Sequence, residues 1–147
     1  MVDHDELFGR LAEISNRQEW DRLSEVLTDD YVEEYPQSGE VIRGLANARA
    51  VRAEYPGTLP EESFDRASVR LAAGDEKWVM TPMFTVVNVQ GSGNVGTAMF
   101  RVHYPDHSTW WVVMVYELDA GKMCRSTAFF APLFDPPEWR AAYRESP

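Results

Sequence analysis

The chain has one cysteine, two lysines and no hydrophobic run long enough to span a bilayer, and each shortage removes a class of function. Cys124 has no second Cys and no His at ligand spacing, so an internal disulfide or thiolate metal site cannot form, and a buried, inert thiol is expected. Lys77 and Lys122 sit beside the turn signals Gly74-Asp75-Glu76 and Ala120-Gly121, where neither would be desolvated enough for Schiff-base chemistry. The longest apolar run is Trp110 to Tyr116, and the amino terminus is acidic where an export signal is basic, so a cytoplasmic protein without membrane contact is expected. No GxGxxG follows a strand pattern and no Walker-type loop occurs. Positive charge is scarce as well: 14 Lys+Arg against 24 Asp+Glu give a net charge of −10, which opposes nucleic acid and anionic bilayers as partners. His4, His103 and His107 do not converge at ligand spacing, so neither a metal nor a cofactor is expected.

What is present is enough for one hydrophobic centre: 147 residues, 44% hydrophobic, read as a single domain over 1–147. Asp3 and Glu6 form a capping-box pattern, and Leu7, Leu11 and Ile14 follow on one helical stripe. Asn16 with Glu19 repeats the pattern for a second short helix carrying Trp20, Leu23 and Leu27. Tyr31 to Tyr35 reads as a short extended segment stopped by Pro36. A third helix carries Leu45, Ala48, Val51 and Tyr55 inward, with Arg49 and Arg52 on a solvated outer side. Five strand patterns follow: Ala67–Leu71, Trp78–Gln90, Val95–Tyr104, Ser108–Leu118 and Met123–Ala131. They are divided by turn signals at Gly74-Asp75, Gly91-Ser92-Gly93-Asn94, Pro105-Asp106 and Asp119-Ala120-Gly121. Asp135 is expected to cap a last short helix through Pro136 and Pro137. Helices first and strands afterwards make the class α+β, an antiparallel meander with helices on one face.

The run Leu27-Thr28-Asp29-Asp30-Tyr31-Val32-Glu33-Glu34-Tyr35-Pro36, then Gly44, then Glu117-Leu118-Asp119-Ala120-Gly121-Lys122-Met123, resembles the nuclear transport factor 2-like superfamily, which includes SnoaL-like proteins and ketosteroid isomerases. The C-terminal run from Phe129 to Arg140 is similar to a SnoaL-like ending. The resemblance implies a cone, in which a strongly curved antiparallel sheet wraps a pocket that the helices close. It does not choose a reaction, because isomerases, cyclases, dehydratases, hydrolases and non-catalytic binding modules share that scaffold. Matching Asp30, Pro36, Gly44 and the late hairpin puts the ketosteroid isomerase base and its two oxyanion donors at Tyr35, Leu11 and Met114. None carries the needed group, which disfavours that chemistry.

Strand alternation puts Trp110, Val112, Met114, Tyr116 and Leu118 on one face and Trp111, Val113, Val115 and Glu117 on the other. Both faces are largely apolar, so the Trp111/Val113/Val115 face is expected to meet a second copy in a homodimer. The expected ligand site is lined by Tyr35, Phe100, Val102, Trp110, Met114 and Tyr116 and takes a small apolar molecule. Candidates for acid–base work are Tyr35, Glu33 and His103. Glu33 shares a side with Tyr35 and Glu34 lies opposite. For His103 two arguments conflict: polarity turns it outward, whereas a two-residue turn at Asp106-His107 would pair it with Trp110 and turn it inward. Arg125 could meet a substrate carboxylate, or Glu117 or Tyr116 across the hairpin. The sequence thus reads as a small-molecule pocket protein, either a cofactor-independent isomerase, cyclase or dehydratase or a non-catalytic binding module.

Overall fold

The computed structural model describes residues 3–80 and 86–145, with side chains described outside 70–93. Helix α1 (His4–Arg17) begins where Asp3 accepts a hydrogen bond from the Glu6 N–H at 3.0 Å, and it ends at Gln18 in the left-handed region. Glu6 completes no reciprocal box; it pairs with Arg10 one turn on. The expected second helix is a 3₁₀ segment, Trp20–Glu25, and Asn16 does not cap it. Asn16 instead clamps the start of a distant strand, accepting from the Phe64 N–H at 2.8 Å and donating to the Phe64 carbonyl at 3.0 Å. Leu27, expected on that helix, opens strand β1 (Leu27–Tyr35).

Strand β2 (Glu40–Arg43) returns antiparallel to β1, and helix α2 (Leu45–Ala53) follows. Strands β3 (Phe64–Met80), β4 (Val86–His103), β5 (Thr109–Asp119) and β6 (Lys122–Pro132) complete one sheet of order β2-β1-β6-β5-β4-β3, antiparallel except for the parallel β1–β6 pair. The class is α+β, with helices laid on a curled sheet. Two expected turns are overturned: Gly74-Asp75 and Gly91-Ser92-Gly93 lie within β3 and β4. The ladder shifts there, from Gly74↔Val95 to Glu76↔Gln90, so the glycines mark a bulge and not a reversal. Of the expected strand Trp78–Gln90, residues 78–80 belong to β3 and 86–90 to β4, and 81–85 lie outside the described residues. A second irregularity between Asp65 and Arg70 is satisfied by buried Ser68, whose hydroxyl donates to the Asp65 carbonyl and accepts from the Arg101 N–H, both at 2.7 Å. Near the C-terminus Glu138–Arg140 forms one 3₁₀ turn preceded by extended Pro137, without a cap from Asp135.

The core lies between α1 and the inner face of β4, β5 and β6, where Phe8, Ile14, Ala98, Tyr116, Leu118 and Met123 are buried. Phe8 stacks obliquely on Tyr116 and Phe100, with ring centroids 5.1 and 6.2 Å away. The Tyr116 hydroxyl bonds to His4 Nδ1 at 2.7 Å, tying the first turn of α1 to the sheet. Tyr116 faces Gly96 in the ladder, and a Cβ on Gly96 would lie 2.3 Å from that hydroxyl, so glycine is needed for the ring to lie there. No helix among the described residues is long and apolar enough to cross a membrane.

Candidate functional site

Toward the other end of the same sheet face, α2 packs on β1 and on the 3₁₀ segment through buried Ala48. On β1, Tyr31, Glu33 and Tyr35 alternate onto the inner face. Glu33 is almost wholly buried, with 3% of its side chain exposed, and faces Arg52 on the last turn of α2, 25% exposed. Arg52 Nη1 donates to Glu33 Oε1 and Nη2 to Oε2, each at 2.9 Å, a fork that holds both groups in one plane. Nη1 also donates to the Ala48 carbonyl at 2.8 Å. Tyr31 donates to Glu33 Oε2 at 3.2 Å and lies 2.6 Å from Ser126 Oγ. With its single proton directed at Glu33, Tyr31 accepts from Ser126, so a directed chain runs Ser126 to Tyr31 to Glu33.

Burial, and next the negative charge of Glu33, push both phenols, Tyr31 and Tyr35, well above the ordinary tyrosine value, so both stay neutral donors. Burial would lower Arg52, but the hydrogen bonds and charge of Glu33 outweigh it and the guanidinium is held above its ordinary value.

Around this cluster lie connected cavities. The inner one, about 150 Å³, has hydrocarbon walls from Leu11, Phe64, Phe100, Val112, Met114 and Met123, with Tyr31, Glu33 and Ser126 as its polar side. A wider one, about 330 Å³, opens beyond Trp20, Val51, Tyr55 and Leu59. Ser15, Tyr35, Arg52, Phe64, Val102 and Phe130 line both, so the two are parts of one funnel. An outer vestibule of about 430 Å³ lies at the rim, lined by Tyr55, Tyr104, Trp110 and Phe130 among others.

Of the expected lining residues, Tyr35, Phe100, Val102 and Met114 surround the inner cavity. Trp110 belongs to the vestibule, and Tyr116 lies under α1 outside the lining of these three cavities. Of the acid–base candidates, Glu33 and Tyr35 stand together. His103 pairs with Thr109 in the ladder, not with Trp110, because the chain between them turns through a longer loop closed by Tyr104 and Ser108. Its Nδ1 bonds Thr109 Oγ1 at 2.8 Å on the outer face, although the residue borders the wider cavity. Leu11, Tyr35 and Met114, the positions matched to the steroid isomerase groups, all line the inner cavity.

Arg52 is the main correction to the sequence reading: expected on a solvated face, it is the counter-ion of the site. The signal was its place four residues after Ala48, which is fully buried, while Val51 and Tyr55 are more than a third exposed. Arg125 stands opposite Glu117 in the β5–β6 ladder, as expected across the hairpin, but its ion pair is with Glu34 on the neighbouring β1. Among the described residues no three His, Cys, Asp or Glu side chains cluster as metal ligands.

The sequence matches the SnoaL-like domain family over residues 8–126. Among solved structures, an NTF-2 like protein of unknown function from Burkholderia xenovorans LB400 superposes with a TM-score of 0.66 at 23% identity, covering 96% of this chain and 92% of that one. A proposed ketosteroid isomerase from Kribbella flavida DSM 17836 gives 0.62 at 21% identity, over 95% and 86%. An LEH-like epoxide hydrolase from M. tuberculosis gives 0.52 at 14% identity, over 85% and 80%. At these identities the likeness is one of fold. No curated protein matches the sequence.

Proposed function

Because the chain belongs to the SnoaL-like domain family, we propose that it is a cofactor-independent enzyme for a small, largely apolar molecule carrying an oxygen function, of the isomerase, cyclase or dehydratase type. The observation that carries this reading is the buried Glu33–Arg52 pair, flanked by Tyr31 and Tyr35, at the polar side of a funnel otherwise walled by hydrocarbon. The hydrocarbon walls take the ligand's body by desolvation. Arg52 and the neutral Tyr35 hydroxyl border the cavity as donors where a carbonyl, hydroxyl or ether oxygen would gain negative charge. Glu33 is the carboxylate among the described lining residues of the funnel, so a proton leaving the ligand passes to it.

One observation favours a second reading, a pocket that binds without converting: Glu33 already accepts both arms of Arg52 and the Tyr31 hydroxyl. Native mass spectrometry of freshly purified protein separates the two. A retained or added cyclic ketone, alcohol or epoxide should be lost with Arg52→Met, and Glu33→Gln should keep it bound while abolishing any turnover. Retention unchanged in a folded Arg52→Met protein removes both readings. Arg52→Met leaves Glu33 buried without its counter-ion and should cost about 3 kcal/mol of stability, read as a lower urea midpoint. We further propose that a second copy covers the outer face at Trp111, Val113 and Val115, which are half-buried beside exposed Met99 and Phe129.

A further inference from the structure

The outer vestibule has a chemistry unlike that of the funnel behind it. Tyr55 follows α2, Tyr104 ends the β4 side of a loop, Trp110 begins β5 and Phe130 lies near the end of β6, so four separate segments bring aromatic rings to one hollow of about 430 Å³. The Tyr55 and Tyr104 rings stack with centroids 5.8 Å apart and planes 22° apart. Trp110 stands perpendicular to Tyr104, at 6.1 Å and 90°, so the rings that line the hollow lie in two orientations. The two loops that carry these rings are pressed together at Gly57, whose φ is +90° and where a Cβ would lie 3.1 Å from Pro105 Cβ.

The polar part of this wall is anionic. Trp110 Nε1 donates to Ser108 Oγ at 3.0 Å, and Ser108 donates to Asp106 Oδ1 through its hydroxyl at 2.5 Å and its N–H at 2.9 Å. Those two bonds, ahead of other influences, hold the Asp106 carboxyl below the usual carboxylate range. Among the described residues no Lys, Arg or His lines the hollow; His107 neighbours Asp106 in the chain but is outside the lining. Ring faces carry negative quadrupole potential, the carboxylate adds a full charge, and the chain's net charge of −10 draws cations toward it.

We propose that this vestibule is a binding site for an organic cation of the quaternary or N-methylated ammonium class. Methyl groups around the charge make its hydration weak enough to exchange for ring faces, whereas a bare ammonium or metal ion would lose hydrogen bonds to water that rings do not replace. Neither Glu33 nor Arg52 lines this site, although Tyr55, Tyr104 and Phe130 are shared with the wider cavity of the funnel.

The test compares choline with its uncharged carbon isostere, 3,3-dimethylbutan-1-ol, by isothermal titration at low and at high salt. Choline should bind saturably and about tenfold tighter than the alcohol at low salt, and Trp110→Leu should erase about that factor. Asp106→Asn, on an exposed loop where folding is not at stake, should weaken choline several-fold and leave the alcohol unchanged. Equal affinities for the two probes, no saturable choline binding at millimolar concentration, or an Asp106→Asn protein that binds choline as tightly as the parent would each overturn the proposal.

Discussion

The two ends of the inner sheet face share strands and the same alternation, yet one end is solid and the other is hollow. Under α1, Phe8, Tyr116, Ala98 and Leu118 fill the space, and the sole polar group introduced by Tyr116 is bound to His4. Under α2 and the second half of α1, where Leu11 and Ser15 form part of the wall, the same face opens into cavities around Tyr35, Phe64, Val102 and Phe130. The cause is the length and chemistry of the cover. Helix α1 has 14 residues and lays Leu7, Phe8, Ala12 and Ile14 toward the sheet. Helix α2 has nine residues, and the small side chain of Ala48 is its buried hydrocarbon. Leu45 packs half-buried beside it, Val51 borders the wider cavity, and Arg52 completes the inward side with a charge that must be matched by Glu33 and cannot be pressed into a dry core. A short helix with an ion pair beneath it leaves room where a longer apolar one would not.

If that contrast is right, truncations should be punished unequally. Phe8→Ala should cost about 3–5 kcal/mol, because it leaves a cavity between Tyr116 and Phe100. Val102→Ala, beside space that is already empty, should cost about 1 kcal/mol. Chemical denaturation of the two variants reads the difference, and similar losses would mean that the hollow end is packed in solution. A smaller effect probes overpacking at the solid end: Gly96→Ala drives a methyl group into the Tyr116 ring and should cost about 1–3 kcal/mol, with the His4 contact disturbed in the amide spectrum.

The smallest effect is a pH dependence. Burial pushes Tyr116 up to about 12 from its ordinary 10.0, and Tyr104 moves to about 12 through burial and then the nearby Tyr55. Because the unfolded chain loses those protons first, stability should be level below about pH 10 and decline as pH rises toward about 12. Thermal melts across that range should show the decline, shallower in Tyr116→Phe; an equal slope in that variant would assign the loss to other groups.

Much of the scaffold was legible because it is written in short-range terms. The Asp3 cap, the even and odd faces of β5, the turn after Asp119 and the α+β order all follow from neighbours a few residues apart. The site was legible in half: Glu33 and Tyr35 stand on one side of β1 through simple alternation, but their partners come from α2 and β6. His103 shows the same boundary, since its face depended on a loop length that local residues left open.

Sequence by itself determined the cap and apolar stripe of α1, the helix after Gly44, the late hairpin and which faces of β5 are apolar, since periodicity and caps depend on local backbone geometry. Only the tertiary structure decided that Arg52 turns inward onto Glu33, that Gly91 and Gly93 lie within a strand at a register shift and do not end it, and that one end of the inner sheet face is hollow. Those outcomes depend on how far one element reaches over another and on which charge is near enough to neutralise it, quantities that no run of neighbouring residues contains.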